Sequence, residues 1–279
     1  MPGIWLEPEA VGVRSPVAKS LVGGWGIGYL KLDHNLDVGP GTSAHADEAP
    51  GAGLLGHNRA YLDWLDAVLD RYPDLVLENC ASGGMRMDYA LLSRTQLQST
   101  SDQQNPLRYP PIAAAAPTAV TPEQGAVWSY PLASDSLDEV AFTMTSSLLG
   151  RIHLSGQLAE LKPEARALVR EAVSVYKSIR TDLPHMVPAW SLGLPDWEDP
   201  WIALALHKPG AMYLTIWRRP GATPSVILPL PPLQGTAARL EVLYPSTSVA
   251  DIAWYPHSAE LVISLPHSPS ALLLCITER

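Results

Sequence analysis

The chain has 279 residues, 47% of them hydrophobic, and a formal net charge of −9. That length can bury a core without disulfide or metal staples, and the composition argues against a disordered chain. The acidic balance argues against a nucleic-acid partner, whose phosphates it would repel, and no apolar run reaches membrane-spanning length, so no membrane partner is expected.

In chain order, Met1 to Glu7 carries neither the basic region nor the apolar run of a signal peptide, so a soluble cytoplasmic protein is expected. Gly3 to Leu6 reads as a strand, and a second runs from Gly28 to Asp33. The segment between them is short for a full crossover helix. Pro40 to Gly56, rich in Gly, Pro, Ala and Asp, reads as a loop. His57 to Tyr72 is expected to be a helix, because Tyr61, Trp64, Leu65, Val68 and Leu69 share one face. Leu75 to Asn79 is a strand, Gly84 to Arg94 a helix and Gln96 to Ser99 a strand.

Pro106 to Glu123 contains an Ala/Pro-rich stretch. Gly125 to Tyr130 reads as a strand, Leu137 to Leu148 as an apolar helix and Arg151 to Leu154 as the next strand. Lys162 to Ile179 is the clearest helix, with Pro163 in its first turn, where a missing N–H costs little. After Pro184 the pattern changes. Strands are expected at Trp201–His207, Met212–Arg218, Ser225–Leu230, Arg239–Tyr244, Glu260–Leu265 and Ala271–Ile276, separated by Pro/Gly turns. The fold class is therefore α/β at first, antiparallel β afterwards. The expected domains are 1–183, alternating β/α, and 184–279, an antiparallel β-sandwich that covers the outer helices.

Three strand candidates end in polar or charged residues, at Lys31-Leu32-Asp33, Glu78-Asn79-Cys80 and Ser99-Thr100-Ser101-Asp102. In a β/α barrel the strand C-termini build the active face. Carboxylates on separate strand ends suit glycoside hydrolysis, where a retaining enzyme holds its two carboxyl groups about 5–5.5 Å apart. Asp33 and Asp102 would meet that geometry only if their strands sit side by side or nearly so in the barrel, and each also suits a cap for the following helix or turn. Lys31, two residues before Asp33, shares its strand face. There it would favour an ionised Asp33 and could donate to a sugar hydroxyl. Cys80 and Cys275 stand far apart and form neither a disulfide framework nor a metal cluster, and both read as small buried residues. The aromatic usage, Trp 9, Tyr 10 and Phe 1, suits sugar-binding clefts and interfaces alike.

Four motifs, in order, resemble the bacterial α-galactosidase family of retaining glycoside hydrolases. They are Trp5-Leu6-Glu7-Pro8-Glu9, Tyr29-Leu30-Lys31-Leu32-Asp33-His34-Asn35, Glu78-Asn79-Cys80-Ala81-Ser82-Gly83-Gly84-Met85-Arg86 and Thr100-Ser101-Asp102-Gln103-Gln104-Asn105-Pro106. The resemblance runs from Pro2 to Ser155 and more loosely beyond. It implies a partial (β/α)8 TIM barrel lacking its first strands and then the C-terminal antiparallel β-domain. Strands are expected near Ile4, Leu30, Val76, Leu97, Val127 and Ile152.

The resemblance also implies roles. Asp33 is the nucleophile and Asp102 the general acid/base. Trp5, Lys31, Cys80 and the Gly83 backbone contact galactose. Glu7 and Glu9 belong to the rim or hold the loop, His34 to packing, and Asn79 and Arg86 to structure, while Asn35 could touch the ligand. No metal or organic cofactor is implied. The substrate is an α-galactoside oligosaccharide, and a homo-oligomer is left open. Relatives carry an N-terminal β-domain, paired aspartates that hold the galactose hydroxyls, and a longer segment with an arginine between the positions of Glu9 and Asp33. This sequence shows none of these, and Arg14 is the one arginine in that interval. The expectation is a truncated, internally deleted member with impaired hydrolysis. The alternative is an inactive remnant that binds sugar, and an α-N-acetylgalactosaminidase or transglycosylase also fits the same barrel.

Overall fold

The computed structural model describes residues 16, 18–35 and 52–279. The expected strand at Gly3–Leu6, the first motif with Trp5, Glu7 and Glu9, and Arg14 lie outside the described residues. The chain forms two compact units, Met1–Ser99 and Thr100–Arg279.

The first unit holds three parallel strands in the order β1 (Tyr29–Asp33), β2 (Val76–Cys80) and β3 (Leu97–Ser99). Helix α1 (Ala52–Arg71) connects β1 to β2, and a short helix α2 (Tyr89–Leu92) precedes β3. Burial alternates along β1. Tyr29, Lys31 and Asp33 are exposed, while Leu30 and Leu32 turn half-buried toward Tyr61, Trp64, Leu65 and Val68 of α1 and Leu77 of β2. This is the period-2 strand against the 3.6-period helix. Helix α1 starts earlier than expected. Ala52, Leu54 and Leu55 are helix formers whose signal is diluted by Gly53 and Gly56.

The expected helix over Gly84–Arg94 is corrected to the single turn of α2, which Asp88 caps by accepting from the Leu91 N–H at 3.0 Å. Two constraints keep the preceding residues out of a helix. Gly83 has φ +82°, and the Asn79 side chain takes the Arg86 carbonyl at 3.0 Å, an acceptor a helix would need. Arg94 closes the unit with a paired contact to Asp66 on α1, 2.7 Å from Nε and 2.9 Å from Nη2.

The second unit begins with α3 (Tyr109–Ala115), inside the Ala/Pro-rich stretch. It continues through β4 (Gly125–Ser129), α4 (Leu137–Thr145), β5 (Arg151–Leu154) and α5 (Pro163–Ile179). β4 and β5 are parallel, with Ala126 beside Arg151 and Ser129 beside Leu154. A capping box starts α4. Ser136 accepts from the Glu139 N–H, and Glu139 accepts from the Ser136 N–H at 2.8 Å.

Eight antiparallel strands follow: β6 (Val187–Ala189), β7 (Trp201–Lys208), β8 (Ala211–Arg218), β9 (Ser225–Pro229), β10 (Ala238–Tyr244), β11 (Asp251–Tyr255), β12 (Glu260–Ser264) and β13 (Ser270–Glu278). They form a five-stranded sheet, β10-β13-β8-β7-β6, and a three-stranded one, β11-β12-β9. β6 and β11 escape sequence patterning, and β6 is an edge strand only three residues long with a central proline.

The large sheet is buried on both faces. Ile202, Leu204, Leu206, Tyr213, Trp217 and Leu273 pack with α4 and α5. Their alternating neighbours Ala203, Ala205, Leu214, Ile216, Leu272 and Leu274 pack against Leu228, Leu261 and Ile263 of the small sheet. That is why β7, β8 and β13 read as nearly continuous apolar runs rather than as alternation. The β-domain thus covers the helices of its own unit. Compactness divides the chain at Ser99/Thr100, whereas the change to antiparallel structure falls after Ile179.

Candidate active site

The polar face of the first unit is set by strand register. Parallel pairing puts Lys31 beside Glu78 and Asp33 beside Cys80. Tyr29, Lys31 and Asp33 therefore project on the face opposite α1, along with Glu78 and Cys80 of the next strand. Asp33 is the last residue of β1, at the strand end where β/α proteins place their chemistry.

Glu78 is wholly buried. The Tyr29 hydroxyl donates to its Oε2, and the Lys31 ammonium lies 3.8 Å from its Oε1. Burial pushes the Glu78 carboxyl up to about 7. Cys80 is also buried, and its Sγ accepts from the Gly83 N–H at 3.4 Å. Burial raises the thiol above its ordinary range, against the opposing pull of Gly83, Ser99 and the Lys31 charge. A neutral thiol of this kind can donate a hydrogen bond but is a poor nucleophile.

The glycine-rich segment is a tight turn after β2. Ser82 and Gly83 both have positive φ, +45° and +82°, a conformation glycine adopts without cost. Asn35, just beyond β1, holds that turn by accepting from the Ser82 N–H at 2.6 Å and from its hydroxyl at 3.2 Å. His34 packs edge-on against Tyr61 with ring centroids 4.8 Å apart. Asn79 is buried and bonds Arg86 and Gln98.

Asp102 belongs to the second unit and is exposed. Its segment is anchored by Tyr109. The Tyr109 hydroxyl donates to the Ser101 carbonyl at 3.3 Å, accepts from the Trp128 N–H of β4 at 3.0 Å and lies 3.3 Å from the Thr100 hydroxyl. Burial first of all pushes the Tyr109 phenol up to about 12, so it stays a donor. Three side-chain-to-backbone bonds then shape the loop. Ser101, Gln103 and Asn105 each accept from the N–H two residues on.

Lys31, Asp33, Cys80 and Gly83 are thus brought together in the first unit, Asp102 stands in the second, and Trp5 lies outside the described residues. Among the described residues no three His, Cys, Asp or Glu side chains are grouped as metal ligands. Nor is any helix there long and apolar enough to cross a membrane. The parts sequence reasoning missed are Tyr29 and Tyr109. The alternation Tyr29-Lys31-Asp33 could have signalled the first, but nothing local marks Tyr109.

Comparison with known proteins adds identity to this geometry. The melibiase family model matches residues 6–184. The chain is 26% identical over 181 residues to an α-galactosidase of Escherichia coli, covering 63% of this chain and 24% of that one. It is 25% identical over 191 residues to a probable α-galactosidase G of Aspergillus terreus, covering 64% and 24%. The chain therefore spans about a quarter of the length of these curated relatives.

Among solved structures, it superposes with TM-score 0.77 and 16% identity on a variant of the α-galactosidase AgaA from Geobacillus stearothermophilus in complex with stachyose, over 98% of this chain and 38% of that one. It superposes with TM-score 0.74 and 17% identity on the galactosidase domain of the α-galactosidase–sucrose kinase AgaSK, over 96% and 37%. These define the fold class as part of a (β/α)8 barrel followed by an antiparallel β-domain. The chain belongs to the melibiase family.

Proposed function

We propose that the chain carries the chemistry of a retaining α-galactosidase, cleaving terminal α-galactosyl residues from oligosaccharides. The observation that carries this reading is the shared polar face of β1 and β2. It sets Lys31 and Asp33 on alternate positions at a strand end, with Cys80 in register beside Asp33. Membership of the melibiase family and the curated relatives' activity support it. So do solved relatives in complex with stachyose, raffinose and 1-deoxygalactonojirimycin.

In the proposed double displacement Asp102, protonated, gives its proton to the leaving oxygen while Asp33 attacks the anomeric carbon and forms a glycosyl-enzyme. Asp102, now a base, takes a proton from water, whose oxygen displaces Asp33 and releases galactose. Lys31, Cys80, the Gly83 backbone and Trp5 contact the sugar. The family match ends at residue 184, which supports reading 184–279 as a C-terminal β-domain.

The test is release of nitrophenol from an aryl α-galactoside by the purified chain, beside Asp33→Asn and Asp102→Asn. Release that disappears in Asp33→Asn is expected. An inert, folded chain that still binds galactose would replace this reading by sugar binding without turnover.

A further inference from the structure

We infer that Glu78 is a positioning residue, which holds the Lys31 ammonium over the strand face that carries Asp33. The inference rests on the proposed galactosidase reading for the role of Lys31, but the pairing it asserts is testable without that reading.

Glu78 and Lys31 are register partners on adjacent parallel strands, so their side chains leave the same side of the sheet. The carboxyl group is wholly buried and the lysine is exposed. A buried carboxylate must be paired or hydrogen-bonded to be tolerated, and here the Tyr29 hydroxyl holds one oxygen while Lys31 Nζ lies 3.8 Å from the other. Tyr29 and Lys31 occupy the two positions before Asp33 on its own strand face. The carboxyl group thus reaches across from β2 and grips both.

A lysine is a flexible four-carbon stem ending in a compact charge, and an exposed one loses rotamer entropy whenever it is fixed. When ionised, Glu78 supplies a fixed anionic contact that restricts the ammonium before any sugar arrives. Stability alone does not call for this glutamate, because an apolar residue in place of a buried ion-pair member is often as stable when both partners are replaced. A residue that aims a donor is needed only where the donor has something to reach.

The test uses the full chain with Glu78→Gln, Lys31→Met and the double variant. In aryl α-galactoside kinetics at pH 8, where the Glu78 carboxyl is ionised, Glu78→Gln is expected to raise KM about tenfold while kcat changes less than about threefold. Lys31→Met should do the same, and the double variant should be no worse than Lys31→Met alone, since one interaction is removed once. Wild-type KM in Glu78→Gln, or fully additive effects in the double variant, would overturn the inference.

If the wild-type chain is inert, the galactosidase reading has failed, and NMR of the lysine ammonium groups decides the pairing instead. The Lys31 Nζ signal should shift in Glu78→Gln, and an unchanged signal sinks it. Should Glu78→Gln not fold, the Glu78 carboxyl is titrated by NMR in Lys31→Met. Loss of the ammonium should move its titration to higher pH, and an unmoved titration is the contrary result.

Discussion

Asn79 donates through Nδ2 to Oε1 of Gln98 at 2.7 Å, with both side chains wholly buried where β2 meets β3. The same amide group also donates to the Arg86 carbonyl at 3.0 Å, so one side chain fixes a strand pair and the turn that follows it. Asn79→Ala would strip the donor from both acceptors. The expected cost is about 3 kcal/mol, because unsatisfied buried polar groups bear their full desolvation penalty. Urea unfolding checks it, and a midpoint equal to wild type would refute this account of the turn.

Glu78 should make stability depend on pH. Its carboxyl is raised from 4.5 to about 7 by burial, so the folded state holds the proton more tightly than the unfolded state. The resulting stabilisation is fully present below pH 4.5 and is lost as pH rises through about 7. The full effect is on the order of 3 kcal/mol. The ionisation that weakens the fold also charges the group that faces Lys31, with Asp33 and Cys80 on the same polar face. Glu78→Gln should flatten this part of the profile, and urea midpoints at pH 4.5 and pH 8 for both proteins measure it. Parallel profiles would count against the assignment.

Gly156 is a packing requirement. A Cβ there would stand 2.2 Å from the Pro131 carbonyl oxygen and 2.8 Å from its nitrogen, both backbone atoms that cannot swing away. Gly156→Ala is expected to destabilise the second unit by about 2 kcal/mol or more, as overpacking does. Gly28→Ala, where a Cβ meets nothing within 4 Å, should shift stability by no more than about 0.5 kcal/mol. Thermal melting of the two variants side by side separates steric demand from the general effect of replacing glycine.

Ser136 carries a local contribution. Its hydroxyl accepts from the Glu139 N–H at 3.3 Å at the start of α4. Ser136→Ala should cost about 1 kcal/mol, read as a lower melting temperature. Glu139→Gln should cost less, since an amide oxygen can still accept from the Ser136 N–H. An Ala variant as stable as wild type would mean that packing alone sets that terminus.

Much of the fold is legible because its signals are local. The buried face of α1 follows from Tyr61, Trp64, Leu65 and Val68 at helical spacing, and all four are buried. β1 to β5 lie near the expected centres Leu30, Val76, Leu97, Val127 and Ile152. The antiparallel run after Pro184 is marked by apolar stretches between turn residues. Signals fail where distant groups intervene. The Gly84–Arg94 periodicity looks helical until Asn79 captures the Arg86 carbonyl. The Ala/Pro-rich stretch gives no hint that Tyr109 anchors the Asp102 segment through Ser101 and Trp128.

By itself the sequence determined the kinds of element, their order and the family, since periodicity, turn residues and short motifs act between near neighbours in the chain. Tertiary structure decided which side chains meet. Tyr29 and Glu78 are 49 residues apart and touch only because β1 and β2 pair in one register. A shift of one residue would turn Glu78 away from Lys31 and toward α1. Apolar packing of Leu30, Leu32 and Leu77 on α1 forbids that shift, so a choice made on the buried face of the sheet fixes the arrangement of charges on the other.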